Sequence, residues 1–266
     1  MILFLVALAS VYQYFYGGKY SRIYISELES KCHSDEASCK ILQAIYKEKC
    51  DKGDGKACFA NIFTNGDLIR VKIDGKWSFI DKNGEVVIKK FDYARNFNEG
   101  LAEVELNGKY GFIDKNGEFV IKPKFDDVWS FNEGLAAVKL NGKYGFIDKN
   151  GEFVIKPKFD EAYIFNDGLA VVKLDGKYGF IDKNGEFVIK PKFDEAYIFN
   201  DGLAVVKLDG KYGFIDKNGE FVIKPIFDNT WGFNEGLAEV ELNGKWGFID
   251  KSGKIVIKPI FDDIDY

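Results

Sequence analysis

The string KYGFIDKNGEFVIKPKF begins at Lys109 and recurs almost unchanged at Lys143, Lys177 and Lys211, with an earlier copy at 76–91 and a last one at 245–261. The Tyr or Trp that opens each copy stands at 77, 110, 144, 178, 212 and 246, spacings of 33 and then four times 34 residues. A fixed period of this length is the signature of stacked repeats, because a unit so small cannot bury its own apolar face and folds only against its neighbours. With 46% hydrophobic and 16% aromatic residues the chain has the core material for such stacking and is not a disordered polymer.

One unit, residues 101–134, shows what the repeat dictates locally. Asn107-Gly108 separates two apolar-rich runs, and Asn-Gly is the strongest short hairpin signal because both central residues of a type I′ turn need positive φ. The next break, Asp114-Lys115-Asn116-Gly117, fits a three-residue loop closed by a left-handed glycine. The unit therefore reads as a three-stranded antiparallel meander with strands near 101–106, 109–114 and 118–122. Pairing through these turns places Ala102, Val104, Leu106, Gly111, Ile113, Phe119 and Ile121 on one apolar face. Tyr110, Phe112 and Val120 fall on the other, beside Glu103, Glu105 and Lys122. Gly111 and its equivalents leave the middle strand bare, where a side chain from a neighbouring unit is expected to approach. All five prolines, at 123, 157, 191, 225 and 259, end third strands, where a missing N–H does least harm.

These residues resemble the WG-repeat family of bacterial proteins, whose hallmark is [KR]-[WY]-G-[FLY]-[IV]-[DN]-x-x-G followed by an apolar strand and Pro. The motif reads KWGFIDKSG at 245–253 and KYGFIDKNG from 109, 143, 177 and 211, and the resemblance runs from Leu68 to about Asp262. Four of the six units carry Tyr in place of Trp. The resemblance implies a β-repeat scaffold, common at the bacterial surface or within larger proteins, with no catalytic residues attributed to the class.

The repeats argue against chemistry. Residues 143–176 and 177–210 are identical, whereas a catalytic constellation needs unique groups in differently tuned environments. No Ser-His-Asp arrangement and no phosphate-cradling Gly loop is present, and His33 is the only histidine, so no enzyme, cofactor or metal is expected. The recurring Asp-Lys-Asn-Gly lacks the further oxygen ligands and the distant Glu of a calcium loop and reads as a structural turn. Lys plus Arg (37) against Asp plus Glu (42) leaves a net charge of −5 with signs interspersed, which argues against nucleic acid.

Positions that differ between copies carry what specificity there is. The loop after the third strand presents Arg95, Trp129, Tyr163, Tyr197, Trp231 and Asp265 at one equivalent position. Trp129, Tyr163, Tyr197 and Trp231 are thus either buried between units or a repeating aromatic ridge that docks an extended ligand. First-strand positions vary as well: Glu103, Ala137, Val171, Val205 and Glu239, and Glu105, Lys139, Lys173, Lys207 and Glu241.

Ahead of the repeats, residues 1–18 carry no charged side chain and read as a signal peptide or N-terminal membrane anchor. All four cysteines, Cys32, Cys39, Cys50 and Cys58, lie in a segment 19–66 whose apolar spacing turns helical near 37–50. Neither a CxxC nor a His pair is present, so disulfides are expected over zinc, and four cysteines allow three pairings. The stretches KCHSDEASCKIL and YKEKCDKGDGKACFANIF resemble the Sel-like helical repeats of cysteine-rich secreted bacterial proteins. That resemblance implies bridges Cys32–Cys39 and Cys50–Cys58.

The sequence thus predicts a mainly β chain: a leader (1–18), a disulfide-stapled helical segment (19–66) and a WG-repeat domain (67–266). The last is expected as an open, solenoid-like tandem array of six three-stranded meanders, with a six-bladed propeller as the alternative. The expected role is an exported, periplasmic, cell-surface or secreted scaffold that binds a protein or cell-envelope glycan. The alternative is a structural spacer whose length is set by repeat number.

Overall fold

The computed structural model describes residues 68–81 and 84–264. The leader, the cysteine segment with its helices and bridges, and Asp265 lie outside the described residues. The fold divides between Lys90 and Phe91 into two compact units. Every strand among the described residues is antiparallel and belongs to one of six sheets that follow in tandem, none of them closed into a barrel.

The first sheet is a three-stranded meander of Ile69–Ile73, Lys76–Ile80 and Val86–Phe91. The other five have four strands, because a two- to six-residue strand from the loop that follows each third strand pairs with the next unit's first long strand. In the second sheet the strands are Tyr93–Ala94, Ala102–Leu106, Lys109–Ile113 and Phe119–Phe125, paired in chain order. Three strands per unit were expected; the fourth escapes notice because it is only a backbone pairing, Tyr93↔Glu105 and Ala94↔Val104, without an alternating pattern of its own.

The turns follow the expected chemistry. Asn107 and Gly108 sit at φ 54° and 74°, the left-handed pair that a type I′ hairpin requires. Gly117 closes the next loop at φ 83°, and Asp114 Oδ1 accepts the backbone N–H groups of Asn116 and Glu118 at 2.9 Å. That carboxylate oxygen is thereby committed to the turn.

The third strand departs from the simple register. Ile113 faces Phe119 as expected, but Phe112, not Gly111, faces Ile121, and Tyr110 faces Phe125. Val120 is the extra residue of a bulge, and Lys122-Pro123-Lys124 arches across Gly111. Ile121 is thereby moved to the Phe112 face, while Val120 points outward at 43% exposure. The same arch explains the glycine that five of the six units carry here: a Cβ on Gly111 would lie 2.4 Å from the Ile121 carbonyl oxygen and 2.7 Å from Pro123 N. The close approach is therefore backbone of the same sheet, not a side chain of a neighbouring unit as expected. A neighbour's side chain does arrive at a different glycine, where the Ile121 side chain lies 3.1 Å from the Cβ position of Gly151.

With Ile121 moved, both faces of each sheet become apolar. Within the second unit, Phe112, Ile121 and Phe125 of one sheet pack with Ala136, Val138 and Ile147 of the next, while Val128 and Phe131 of the connecting loop seal the seam. The same junction recurs three times further along the chain. Phe112 meets Phe131 at 4.7 Å between ring centroids, and Phe146 meets Phe165 at 4.9 Å. Each fully buried phenylalanine contributes about 1.5–3 kcal/mol, so the junctions hold the stack together. The third strands form one edge of every sheet, and in the second sheet the bulge, Pro123 and exposed Lys122 protect it against strand addition. The short strands form the other edge, and it carries the variable residues.

A candidate binding edge

Backbone bonds fix the variable residues along that edge. The N–H of Arg95 donates to the Glu103 carbonyl (2.9 Å), that of Trp129 to Ala137 (2.8 Å), that of Tyr197 to Val205 (3.0 Å) and that of Trp231 to Glu239 (3.2 Å). Beside them runs a spine of side-chain ties between consecutive loops. Asn98 Nδ2 donates to the Phe131 carbonyl at 2.7 Å, and Asn132, Asn166 and Asn200 make the same bond to Phe165, Phe199 and Phe233. Lys149 and Lys183 add ion pairs to Glu99 and Glu133, each 3.2 Å long. Side chains on this edge are therefore held in register from sheet to sheet.

The four predicted aromatics lie on this edge but not in one state. Arg95 lies over the Trp129 ring at 5.5 Å, and Trp129 packs on Tyr163 with centroids 5.7 Å apart and planes at 40°. These three residues use their faces on one another, and Trp129 and Tyr163, both half-buried, pack against the junction cores. Tyr197 and Trp231, by contrast, are 53% and 67% exposed, with Ile198 beside them at 38%. The expected ridge is thus half-buried at one end and open at the other.

Carboxylates organise the rings. Tyr178 and Tyr163 both donate to Glu161 Oε2, at 2.7 and 3.2 Å, while Lys173 binds Oε1 at 2.9 Å. Burial raises the Glu161 carboxyl, yet the bonds from Tyr178 and Lys173 outweigh it and hold the group below its ordinary range. Burial, then the neighbouring Tyr178 and Glu161, push the Tyr163 hydroxyl up to about 12. The next sheet repeats the arrangement, with Tyr212 and Tyr197 donating to Glu195 at 2.8 and 3.3 Å.

One cluster was missed by the sequence reading. Glu103 is only 2% exposed; its carboxylate meets Arg95 Nε at 2.5 Å and accepts a bond from Ser130 Oγ at 3.2 Å. Desolvation raises its pKa to about 7 against the opposing pull of Arg95. Ala137, Val171 and Val205 occupy the corresponding place in the next three sheets, so Glu103 was visible as a variable position. Its partner Arg95 was visible as the exception among the aromatics. That the two meet requires knowing that the loop pairs with the first long strand.

The family model described as WG containing repeat matches residues 77–110, 110–144, 144–178, 178–212, 212–246 and 246–266, and does not extend to the cysteine segment. No curated protein sequence matches significantly. Among solved structures, a eukaryotic initiation factor aligns at TM-score 0.52 and 10% identity over 72% of this chain and 62% of its own, a likeness of fold alone. Hsv2p of Kluyveromyces lactis aligns at TM-score 0.45 and 10% identity, covering 69% of this chain and 71% of that one. PorZ, a surface component of the type-IX secretion system of Porphyromonas gingivalis, aligns at 0.38 and 12% identity, covering 73% and 31%.

Proposed function

The chain belongs to the WG containing repeat family, and from that premise we propose that it is an exported, non-enzymatic scaffold that binds a protein or a cell-envelope polymer. The open part of the aromatic edge is its contact surface. The observation that carries this reading is the exposure of Tyr197 and Trp231, 53% and 67%, on a backbone tied to the neighbouring sheets. Large exposed aromatics on a rigid frame lose little freedom on binding and supply most of the contact energy when a ligand covers them. Trp129 and Tyr163, already packed, support the open end and are not its contacts.

The test compares capture from envelope extract, purified peptidoglycan and surface glycans by the intact protein, by Tyr197→Ala/Trp231→Ala and by Lys217→Ala. Specific capture lost only in the aromatic variant, with its circular dichroism unchanged, supports the reading. Equal capture by all three forms contradicts it.

The identity of residues 143–176 and 177–210 favours a second role as a spacer, since it leaves the two units no difference of their own to recognise anything. Deleting one identical unit shortens a spacer and leaves any binding intact, whereas it weakens a ligand that spans several sheets.

A further inference from the structure

The edge formed by the third strands, opposite the aromatic one, repeats three exposed positions from sheet to sheet. In the third sheet Glu152 immediately precedes the strand Phe153–Phe159, and Val154 and Lys156 follow within it. In the fourth sheet Glu186, Val188 and Lys190 take the same places around Phe187–Phe193. All six are exposed, and the valine at this position is 43–51% exposed in each of the second to sixth sheets. Glu118, Val120 and Lys122 begin the series and Glu220, Val222 and Lys224 continue it. Because one junction is repeated between these sheets, the three positions line up as three rows: carboxylate, apolar and ammonium.

These charges are not spent within the fold, although lysines around them are. Lys143 and Lys177 pair with Asp160 and Asp194, and Lys149 and Lys183 pair with Glu99 and Glu133. Lys158 and Lys192, two residues beyond the ammonium row, lie 5.0 Å from the ring centroids of Phe159 and Phe193. Lys156 and Lys190 make no ion pair, hydrogen bond or ring contact among the described residues, and the carboxylates of Glu152 and Glu186 make none either. Stacked sheets lie about 10 Å apart, so each row brings like charges within about one Debye length of one another. A surface that presents the opposite rows relieves both.

We propose that this edge binds the same edge of a second copy of the chain. The order along each strand is carboxylate, valine, ammonium, so a twofold axis through the valine row reverses the partner and lays carboxylates on ammoniums and valine on valine. With the axis between the third and fourth sheets, Glu152 meets Lys190 of the second copy, Glu186 meets its Lys156, and Val154 meets its Val188. Residues 143–176 and 177–210 are identical, so the contact is matched on both sides of the axis. It is a contact of side chains, because the register shifts in both third strands and Pro157 and Pro191 keep the backbones from pairing. Exposed ion pairs are individually weak, so the charged rows set the orientation, the valines supply the burial, and the association weakens with salt. The surface does not depend on Tyr197 and Trp231, and either reading can fail alone.

The test is sedimentation equilibrium of the full chain, with circular dichroism to check that each variant folds. The native protein is expected to form a reversible dimer that dissociates as salt is raised. Lys156→Glu/Lys190→Glu and Glu152→Lys/Glu186→Lys each set like charges against one another and are expected to weaken the dimer about tenfold or more. All four substitutions together exchange the two rows, and association is expected to return to within about twofold of native. Lys156→Gln/Lys190→Gln gives an intermediate loss and serves if a reversal does not fold. A chain that stays monomeric up to about 1 mM, a dimer indifferent to both reversals, or a fourfold variant as weak as the double ones overturns the proposal.

Discussion

Residues 143–176 and 177–210 are the same sequence in two places, and they do not end in the same state. Their strands, turns and arches agree: a Cβ at Gly145 or Gly179 would meet the carbonyl oxygen of Ile155 or Ile189 at 2.4 or 2.6 Å, and Phe146 and Phe180 are both fully buried. Their edges differ. In the first copy Glu161–Asn166 is one continuous strand and Tyr163 stacks on Trp129; in the second the strand is only Glu195–Ala196 and Tyr197 is 53% exposed. What a repeat fixes by itself is the sheet and its faces. What the edge presents is decided by the neighbour, because Tyr163 follows a tryptophan and Tyr197 follows a tyrosine.

The comparison can be stressed from its strongest common feature outward. Phe146→Ala and Phe180→Ala each remove a ring from a sealed junction and are expected to cost about 3–5 kcal/mol, the two values agreeing closely in urea unfolding. A clear difference between them would mean that the identical cores are not equivalent. Gly145→Ala and Gly179→Ala force a methyl against crossing backbone, and each is expected to cost about 1–3 kcal/mol by the same measurement. Silence of either variant would refute the account of the arch.

The edge itself is expected to answer more weakly. Trp129→Ala loses a stacked ring and should cost about 0.5–1.5 kcal/mol beyond the area it uncovers, and it should raise the exposure of Tyr163 toward that of Tyr197. Glu103→Val gives the second sheet the residue that the identical copies carry as Val171 and Val205. The folded pKa of Glu103, about 7, lies above the ordinary carboxylate value, so burial favours its neutral form below that pH and leaves a buried charge above it. Its contribution is fully present below the unfolded pKa and is lost as pH rises through 7. The valine variant should therefore gain on the native protein between about pH 5 and pH 8 in thermal melts, a trend the native buried charge predicts and a flat difference would contradict.

Much of the fold was legible because the turns are chemically explicit. Asn107-Gly108 and Asp114 to Gly117 set both hairpins, and with them the pairing of Val104 with Gly111 and of Ile113 with Phe119. The bulge at Val120 was not legible, since Phe-Val-Ile reads as ordinary alternation until the arch over Gly111 is seen. That single extra residue turned a sheet with one apolar face into one with two. For the site, periodicity alone picked out the line of Trp129, Tyr163, Tyr197 and Trp231. It gave no sign of which rings are spent on one another, because stacking depends on the distance between adjacent loops. The pairing of Arg95 with Glu103 was hidden for the same reason: the fourth strand that joins them has no pattern of its own.

The most direct measurement is the solvent accessibility of Tyr163 and Tyr197 in one molecule. Fluorotyrosine labelling, with each signal assigned through its Tyr→Phe variant, and broadening by a soluble paramagnetic probe read both rings within the same sequence context. The account predicts strong broadening of Tyr197, weak broadening of Tyr163, and convergence of the two in Trp129→Ala. Equal broadening in the native protein would show that neighbouring units do not set what the edge presents, and would contradict the placement of the binding surface at its open end.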